Sequence, residues 1–592
     1  MKDQSKMSIK PALYRGTLLF LWAAFIVLFA AQALPASAAG CPKGKRCIFL
    51  PVTRNAAPVV PAPTIDLIVT GIEINQAVQN ESNSIPLVAG RGTVLRIFSK
   101  VEGYSSQVPD VRVSITATRA GVALPGSPSV VATTVPLNSS RSNLQSSLNY
   151  NLPAQWLSGT VDLTVSIDSD NKVAEVNERN NVITQRLVFK SVPPLNVKIV
   201  PVQYAHQATG AAHIYPAPTT DTVSDWVRRT YPVSQVNVSW HAPYAFSGNL
   251  STSADFNRLL NEITALKSSE SAPASTVYYA LVPTRDGNNS WFYGGIAGIG
   301  WIGNRVSVGI DLAGSASQIA AHEIGHNLGM GHTPCGVSGS EASFPYHDGS
   351  IGQYGLDVYS GTLYAPSSKD VMSYCNPKWI SDYTYKVLFN SQVKYGSSTS
   401  VYSQSIRPEG YSNTLMVRAT IRGGSAEMLP SYFLSGQNPE TAAAGAYRVQ
   451  LVGADGSVVV DQPVQAAAIE LEGEEALQGI HAMVPAPDSP VAAVRLVKDN
   501  QIIAEQPVMS GQQPQVRVEP TADGVTLLWD DASMPAIVRY SADGGATWTT
   551  LGVDVTGGRL DVSRAVLPSA DGIFQVIPAY AAYAAYAAKA LK

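Results

Sequence analysis

The sequence HEIGHNLGMGH, residues 322–332, contains three of the eight histidines of the chain. His322 and His326 are four residues apart, so on a helix both imidazoles project from one face toward a common ion. Glu323 is rotated by about 100° from His322, near enough to reach a water at such an ion without being a ligand. The stretch therefore predicts a helix with a metal-binding face and an acid–base carboxylate.

The end of this stretch supplies a third nitrogen ligand. Gly329 permits the left-handed backbone that ends a helix, and this turn brings His332 back toward the first two histidines. Three neutral imidazoles leave a fourth coordination position open, which is the pattern of catalytic rather than structural zinc. We therefore expect Zn²⁺ as the cofactor, against the alternative that these histidines only pack in a core.

The extended motif resembles that of the metzincin metallopeptidases at every defined position. The resemblance implies a methionine turn beneath the metal, and Met372 in Asp370–Cys375 fits it. It also implies a role for Tyr374, because astacin-like and serralysin-like metzincins have a tyrosine there that contacts the metal or the oxyanion. A Met and a Tyr that only pack are the structural alternatives.

The chain has four cysteines, which allow three pairings into two disulfides. Sequence proximity favours Cys41 with Cys47 and leaves Cys335 with Cys375. The second pair would link the segment after His332 to the methionine turn. It closes a loop of about 40 residues, which is worth about 4 kcal/mol in the chain-entropy model.

Residues 1–39 have the features of a signal peptide. Four basic residues precede an apolar run from Thr17 to Ala31, and small residues follow it. The run is shorter than the ~20 residues of a permanent membrane span, so we expect none after signal removal and a secreted or cell-surface protein. An uncleaved anchor and a lipoprotein centred on Cys41 are alternatives. Residues 40–64 are predicted to be a Pro-rich linker.

Residues 65–192 show the alternating pattern of a β-sandwich, as in Val161–Val165. Residues 174–181, AEVNERNN, resemble the signature of CARDB modules, which are Ig-like domains of prokaryotic surface proteins. Asp168 and Asp170 are either cation ligands or turn residues, and turns are the more common role.

Residues 193–397 combine strands with helices, including a helix over Thr222–Thr230 and an amphipathic helix over Ala254–Lys267. The predicted fold class is therefore multidomain, with an α+β metzincin-like catalytic block flanked by all-β sandwiches. The further predicted domains are a β-sandwich at 398–510, a fibronectin type III-like domain at 511–578 and a low-complexity Ala/Tyr tail at 579–592.

The charge of the chain is low and balanced. Charged residues make up 14%, with 41 basic and 44 acidic residues and a net charge of −3. Without a basic run, the composition excludes a nucleic-acid partner. The expected partner is a protein or peptide substrate, with glycoproteins and surface components among the candidates. The sequence does not indicate an oligomeric state.

These features predict a secreted zinc metalloendopeptidase with Glu323 as general base. The Gly-rich Gly294–Gly303 is predicted to include a cleft edge strand to which substrate adds, or else a buried hairpin. One alternative is a secreted adhesion or glycan-binding protein with a vestigial peptidase domain. A glycosidase, suggested by the Asp-box-like Ser541–Trp548, lacks further copies and a recognisable carboxylate pair.

Overall fold

A computed structural model describes the greater part of the chain after the predicted linker. The described residues are 64–205, 212–213, 221–248, 250–284, 296–397, 413–435, 439, 445–469, 477–509, 514–567, 569, 571–579 and 589–590. The predicted signal peptide, Cys41 and Cys47 lie outside them, as do Gly294 and Gly295 and most of the tail. Within these ranges, no helix has the length and apolar character that a membrane crossing requires.

The first module is a two-sheet β-sandwich. Its strands are β1 (Asp66–Asn75), β2 (Leu87–Val88), β3 (Val94–Glu102), β4 (Val108–Arg119), β5 (Val122–Ala123), β6 (Ser129–Val135), β7 (Leu148–Asn151), β8 (Gly159–Ile167) and β9 (Val182–Lys190). One sheet has the order β1-β3-β7, and the other has β2-β9-β8-β4-β5, with β6 pairing with β4. On β8, Val161, Leu163 and Val165 are buried while the residues between them are more exposed, so the period-2 pattern places one strand face in the core.

The central block contains the four α-helices of the described residues. Its elements are β10 (Leu195–Ala205), β11 (Ala212–His213), α1 (Asp221–Thr230), β12 (Val236–Trp240), β13 (Tyr244–Phe246), α2 (Ser253–Ser269), β14 (Thr276–Val282), β15 (Gly298–Gly300), β16 (Val306–Ile310), α3 (Ala316–Asn327), β17 (Gly355–Asp357), β18 (Thr362–Tyr364), β19 (Lys369–Asp370), β20 (Lys378–Trp379) and α4 (Asp382–Ser397). The two ends of α2 extend slightly beyond the predicted helix.

The central sheet has the order β11-β10-β14-β16-β15, and β12 and β13 also pair with β10. β10, β14 and β16 are parallel, whereas β15 is antiparallel to β16. α1, α3 and α4 pack on the face that carries Val197 and Ile199, and α2 packs on the face that carries Val200 and Val202. Helices on both faces explain why these strands are nearly continuous hydrophobic runs.

Two further β-modules follow. The third module consists of β21 (Asn413–Arg422), β22 (Ser425–Ser435), β23 (Tyr447–Gly453), β24 (Val458–Val464), β25 (Ala466–Ile469), β26 (Leu477–Ala486), β27 (Val491–Lys498) and β28 (Gln501–Pro507). The last module consists of β29 (Val516–Pro520), β30 (Gly524–Trp529), β31 (Ala536–Ser541), β32 (Thr549–Val555), β33 (Arg559–Ser563) and β34 (Ile573–Pro578), with β35 (Lys589–Ala590) from the predicted tail pairing with β34. The chain is thus multidomain and mostly β.

The modules share cores and hydrogen bonds with the central block. Arg91 of the first module is 1% exposed, and its guanidinium donates to the carbonyls of Arg228, Arg229 and Val233 at the end of α1, at 2.8–2.9 Å. These carbonyls have no partner within the helix, so Arg91 caps α1. On the opposite side, one hydrophobic cluster joins α2 to the third module and to strands of the last.

Candidate metal centre

Helix α3 places two of the three histidines. It follows β16 and presents Ala320, Ala321 and Ile324 to the core, where all three are fully buried. A helix with this apolar side projects His322 and His326 on another face, one turn apart. After the helix ends, Gly329 has φ +99°, the conformation that the sequence predicts, and the chain turns back toward the helix.

The turn brings the third histidine to the first two. The side chains of His322, His326 and His332 are buried, and each offers one ligand nitrogen within 4.8 Å of the others. The ring centroids of the three pairs are 4.8–5.1 Å apart. Three nitrogens converge on one point, as a metal ligand set requires.

Backbone carbonyls set the tautomers of the helical pair. His322 Nδ1 lies 2.9 Å from the carbonyl oxygen of Val371, and His326 Nδ1 lies 2.7 Å from that of Met330. A carbonyl only accepts, so each Nδ1 carries the proton and each Nε2 keeps its lone pair. Burial, followed by the neighbouring histidines, holds the pKa of His322 well below its ordinary value, so this ring is neutral and able to bind a metal.

Glu323 lies next to the histidines under the edge of the sheet. Its side chain is 5% exposed, and burial raises the pKa of its carboxyl well above the ordinary value, while the nearby Lys378 ammonium acts in the opposite direction. A Cβ atom added at Gly298 of β15 would lie 2.5 Å from Glu323 Oε1. The glycine therefore provides the space that the carboxylate occupies.

Met372 lies in a turn packed beneath the helix. It is fully buried, and a Cβ atom added at Gly325 of α3 would lie 2.4 Å from its Sδ. The buried carboxylate of Asp370 holds this turn, because Oδ1 accepts from Met372 N at 2.9 Å and Oδ2 accepts from Ser381 N at 2.8 Å. Met372 is thus a buried contact of α3 at Gly325, and its role as the floor of a metal site stays a prediction.

A disulfide connects the third ligand segment to this turn. Cys335 and Cys375 are bonded, with a Cα–Cα distance of 5.8 Å, so the prediction of a disulfide for this pair is supported. Hydrogen bonds from Thr333 N to Met372 O and from Tyr374 N to Cys335 O, both 3.1 Å, run beside it. The two segments are therefore held in register.

Tyr374 is the most exposed residue of the site. Its side chain is 41% exposed, and its hydroxyl lies 3.2 Å from His332 Nε2. The phenol ring centroid is 5.0 Å from that of His332 and 5.7 Å from that of His322. A hydroxyl in this position is able to approach a substrate bound at the three histidines.

The predicted cleft edge is a strand over Gly298–Gly300. β15 is the last strand in the sheet order, and it continues into Trp301, which forms an antiparallel bridge with Ile469 of the third module. Ile302 N also donates to Ala468 O at 2.9 Å. The third module therefore adjoins the rim of the site at the C-terminal end of β15.

Three residues that position the site were not singled out from the sequence. Asn327 accepts a hydrogen bond from Ser307 and donates to the carbonyls of Trp301 and Val306, which ties α3 to the β15–β16 hairpin. The others are Gly298 and Lys378. An asparagine next to a ligand histidine gave a weak signal, but Gly298 and Lys378 meet Glu323 only through the tertiary fold.

The other candidate residues have local structural roles. Asp168 accepts from the backbone of Lys172 and Val173, and Asp170 pairs with Arg112 at 3.3 Å, so both serve a turn. In the Asp-box-like segment, Asp543 accepts from Thr547 N at 2.8 Å and closes the hairpin between β31 and β32.

A divalent transition metal fits the site on its own chemistry. Three imidazoles, two of them with an unprotonated Nε2, form a nitrogen donor set of the kind that zinc prefers. Carbonyl partners on Nδ1 orient the rings as they do in metal sites. His322, His326 and His332 are the residues that would hold the ion.

Two segments of the chain match known families. Residues 247–402 match the model of the Peptidase M66 family, and residues 112–185 match that of CARDB. The prediction of a CARDB module is confirmed, and the prediction of a peptidase is supported. No curated protein matches the chain.

Three solved structures to which the chain is similar show low identity and low TM-scores. A CARDB domain from Pyrococcus furiosus, solved by NMR, is 19% identical over 22% of this chain and 96% of that one, with a TM-score of 0.15. The crystal structure of that CARDB domain in complex with di-metal ions is also 19% identical. The match covers 22% of this chain and 93% of that one, with a TM-score of 0.16. A Parabacteroides merdae β-glucuronidase is 8% identical over 89% of this chain and 78% of that one, with a TM-score of 0.14. Scores of this size establish no shared fold.

Proposed function

We propose that this chain is a secreted, zinc-dependent endopeptidase of metzincin type. One observation carries the proposal: His322, His326 and His332 converge beside the buried Glu323, inside the segment that matches Peptidase M66. A tyrosine hydroxyl and a methionine turn complete the arrangement. Secretion rests on the signal-like residues 1–39.

The protein groups divide the work of peptide hydrolysis. His322, His326 and His332 would hold a zinc ion, which would supply Lewis acidity at the scissile carbonyl. The Glu323 carboxylate accepts a proton from the attacking water and returns it to the leaving amine. The Tyr374 hydroxyl donates a hydrogen bond to the developing oxyanion. Gly298 leaves Glu323 the space to reach the water, and Lys378 favours the ionised form of its carboxyl.

The substrate is a polypeptide in extended form. β15 is an edge strand directly over Glu323, and an extended peptide can add to such an edge through its main chain. Main-chain pairing of this kind is independent of side-chain identity. Cleavage preference is therefore expected to depend on the walls around the strand, including the junction with the third module at Trp301.

Digestion of an unbiased peptide library tests the function. The full chain and a Glu323→Gln variant are compared for bound zinc and for cleavage, with and without a chelator. Glu519→Gln, at a half-exposed position in the last module, is the control substitution. We expect Glu323→Gln to retain zinc and to lose at least about 100-fold in kcat/KM.

Two results would contradict the proposal. Full cleavage by Glu323→Gln would exclude this residue as the general base. Absence of both zinc and cleavage in the parent protein would instead favour the alternative of a binding protein with a vestigial peptidase domain.

A further inference from the structure

A second site is indicated on the sheet face opposite α3. A cavity of about 560 Å³ lies between the N-terminal ends of β10, β12 and β14 and the hairpin before β32. This volume is within the usual range for small-molecule sites. The metal-centre residues His322, Glu323, His326, His332 and Tyr374 do not line it.

The sheet side of this cavity is polar where a buried sheet would be apolar. Alternate residues share a strand face, so Asn196 and Lys198 lie on the same face as Val200, which is buried under α2. Helix α2 ends at Ser269 and does not extend over the first residues of β10. Parallel sheets are normally covered on both faces, so an open polar area of this kind calls for an explanation.

Several polar groups on this face point into the cavity without a protein partner. Asn237 Nδ2 donates to Asn196 Oδ1 at 2.9 Å, which fixes both amides. Within the described ranges, Asn196 Nδ2 and the hydroxyls of Ser239 and Thr276 form no hydrogen bond to another residue. They are available to a ligand as neutral donors and acceptors.

The opposite wall is an indole ring held in place. Trp548 lines the cavity, and the guanidinium of Arg539 lies 4.4 Å from its ring centroid. The hydrogen bonds of Asp543 close the hairpin on which the ring sits. A fixed aromatic ring contributes apolar contact area at a small entropic cost.

The charged groups beside the cavity are centred on the buried Glu270 carboxylate. The buried Glu270 carboxylate accepts from His241 Nε2 at 2.7 Å and from Tyr278 OH at 2.9 Å, and Lys198 Nζ lies 3.7 Å from it. The Lys198 ammonium also lies 5.2 Å from the ring centroid of Tyr278. The Lys198 ammonium is 32% exposed and lies beside the neutral amides and hydroxyls of this wall.

We propose that this cavity is a carbohydrate-binding site for a neutral glycan. A sugar ring has a rim of hydroxyl groups and a flat C–H face, which match the amide and hydroxyl groups on one wall and the indole on the other. The site does not depend on the metal centre, so it can be tested in the Glu323→Gln protein, which avoids substrate loss during binding measurements.

The test is binding of the full Glu323→Gln chain to an array of neutral, sialylated and sulfated oligosaccharides. We expect binding to neutral glycans, and a loss of affinity of at least tenfold in Trp548→Ala and in Asn237→Ala. Tyr104→Ala and Asn177→Ala, at exposed positions of the first module, are the matched controls and should bind as the parent does. Asn237 is exposed, so its substitution tests the site even if Trp548→Ala fails to fold.

A second arm uses an immobilised glycoprotein before and after enzymatic removal of its glycans. Competition by the free oligosaccharide and loss of binding after deglycosylation would support the proposal. Binding that survives deglycosylation would overturn it. Binding confined to sulfated glycans, binding unchanged in both cavity variants, or no binding to any neutral glycan would also overturn it.

Discussion

The carboxylate of Glu323 occupies space that is open because Gly298 has no side chain. A Gly298→Ala methyl group would lie 2.5 Å from Glu323 Oε1, so the carboxylate must move while the three histidines stay in place. We expect a fall in kcat/KM of about 100-fold with unchanged zinc content, since small displacements of a reacting group have effects of this size. Peptide hydrolysis and metal analysis measure both quantities.

The matched control for this substitution is Gly71→Ala on β1. No atom lies within 4 Å of a Cβ added there, so this variant should keep full activity. An active Gly298→Ala enzyme would show that Glu323 does not need its observed position.

The Tyr374 hydroxyl gives a second prediction for the site. Tyr374→Phe retains the ring beside His322 and His332 but loses the hydroxyl 3.2 Å from His332 Nε2. We expect kcat to fall by about 100-fold with a small change in KM, because the hydroxyl acts mainly on the oxyanion. Steady-state kinetics measures kcat and KM separately. Tyr359→Phe, at an exposed position, is the control substitution. An unchanged kcat would restrict Tyr374 to packing.

The sequence was most informative where a residue's function depends on local spacing. His322 and His326 share a helix face because they are four residues apart, and the left-handed φ of Gly329 follows from its position after the helix. Gly298 and Lys378 lie near Glu323 but come from distant segments, and no spacing in the sequence reports such a contact. Sequence reasoning therefore found the ligand candidates, Met372 and the Cys335–Cys375 pair, but not Gly298 and Lys378.

Among the elements, long amphipathic patterns gave nearly correct boundaries. The predicted helix Ala254–Lys267 is Ser253–Ser269, and the strand Thr276–Val282 has the predicted bounds. The two-residue strands β19 and β20 were not predicted, because they exist through pairing with each other around the methionine turn. Short elements of this kind have no periodicity to detect.

The contact between the first module and α1 gives a prediction at the scale of elements. The Arg91 guanidinium donates to three carbonyls in α1 and the turn that follows it. Arg91→Lys replaces this group with a single ammonium, which cannot reach all three. We expect a loss of about 3 kcal/mol, because buried carbonyls then lack partners. Urea unfolding measures it as a lower midpoint.

Arg112→Lys is the control, since Arg112 is half-exposed and its ion pair with Asp170 lies at the surface. Its effect should be below about 1 kcal/mol. Equal effects of the two substitutions would show that Arg91 is not a cap of structural importance.

In the whole molecule, a buried acidic group lies where α2 meets the last two modules. Tyr244 OH donates to Glu262 Oε2 at 2.7 Å, and burial, reinforced by Asp554, raises the pKa of Glu262 to about 8. Arg258 and Arg418 lower this pKa but do not offset the burial. The junction of three modules therefore contains a carboxyl that is protonated at neutral pH.

This group makes the stability of the assembly depend on pH. Between the ordinary pKa of 4.5 and the folded value of about 8, the folded chain binds more protons than the unfolded chain. The free energy of unfolding therefore falls as pH rises through this range, by at most roughly 1.4 kcal/mol per unit. Glu262→Gln should remove the contribution of this residue to the fall and be more stable than the parent at pH 8, while the raised pKa values of Glu175 and Glu323 maintain their own contributions.

Thermal unfolding from pH 5 to pH 8 checks this prediction, with Glu519→Gln as the control at a surface position. If the stability of the parent and that of Glu262→Gln depend on pH in the same way, other groups cause the effect.

The central block forms hydrogen bonds with the first module and with the last module, and this has a consequence for biosynthesis. The block takes its cap on α1 from residue 91, and its Glu270 carboxylate accepts a hydrogen bond from Thr550 N at 2.8 Å. Residue 550 is synthesised 280 residues after residue 270. The central block therefore leaves the ribosome well before the last module can donate this hydrogen bond to Glu270. A nascent chain that stalls before residue 550 contains the three histidines but lacks this contact of the central block.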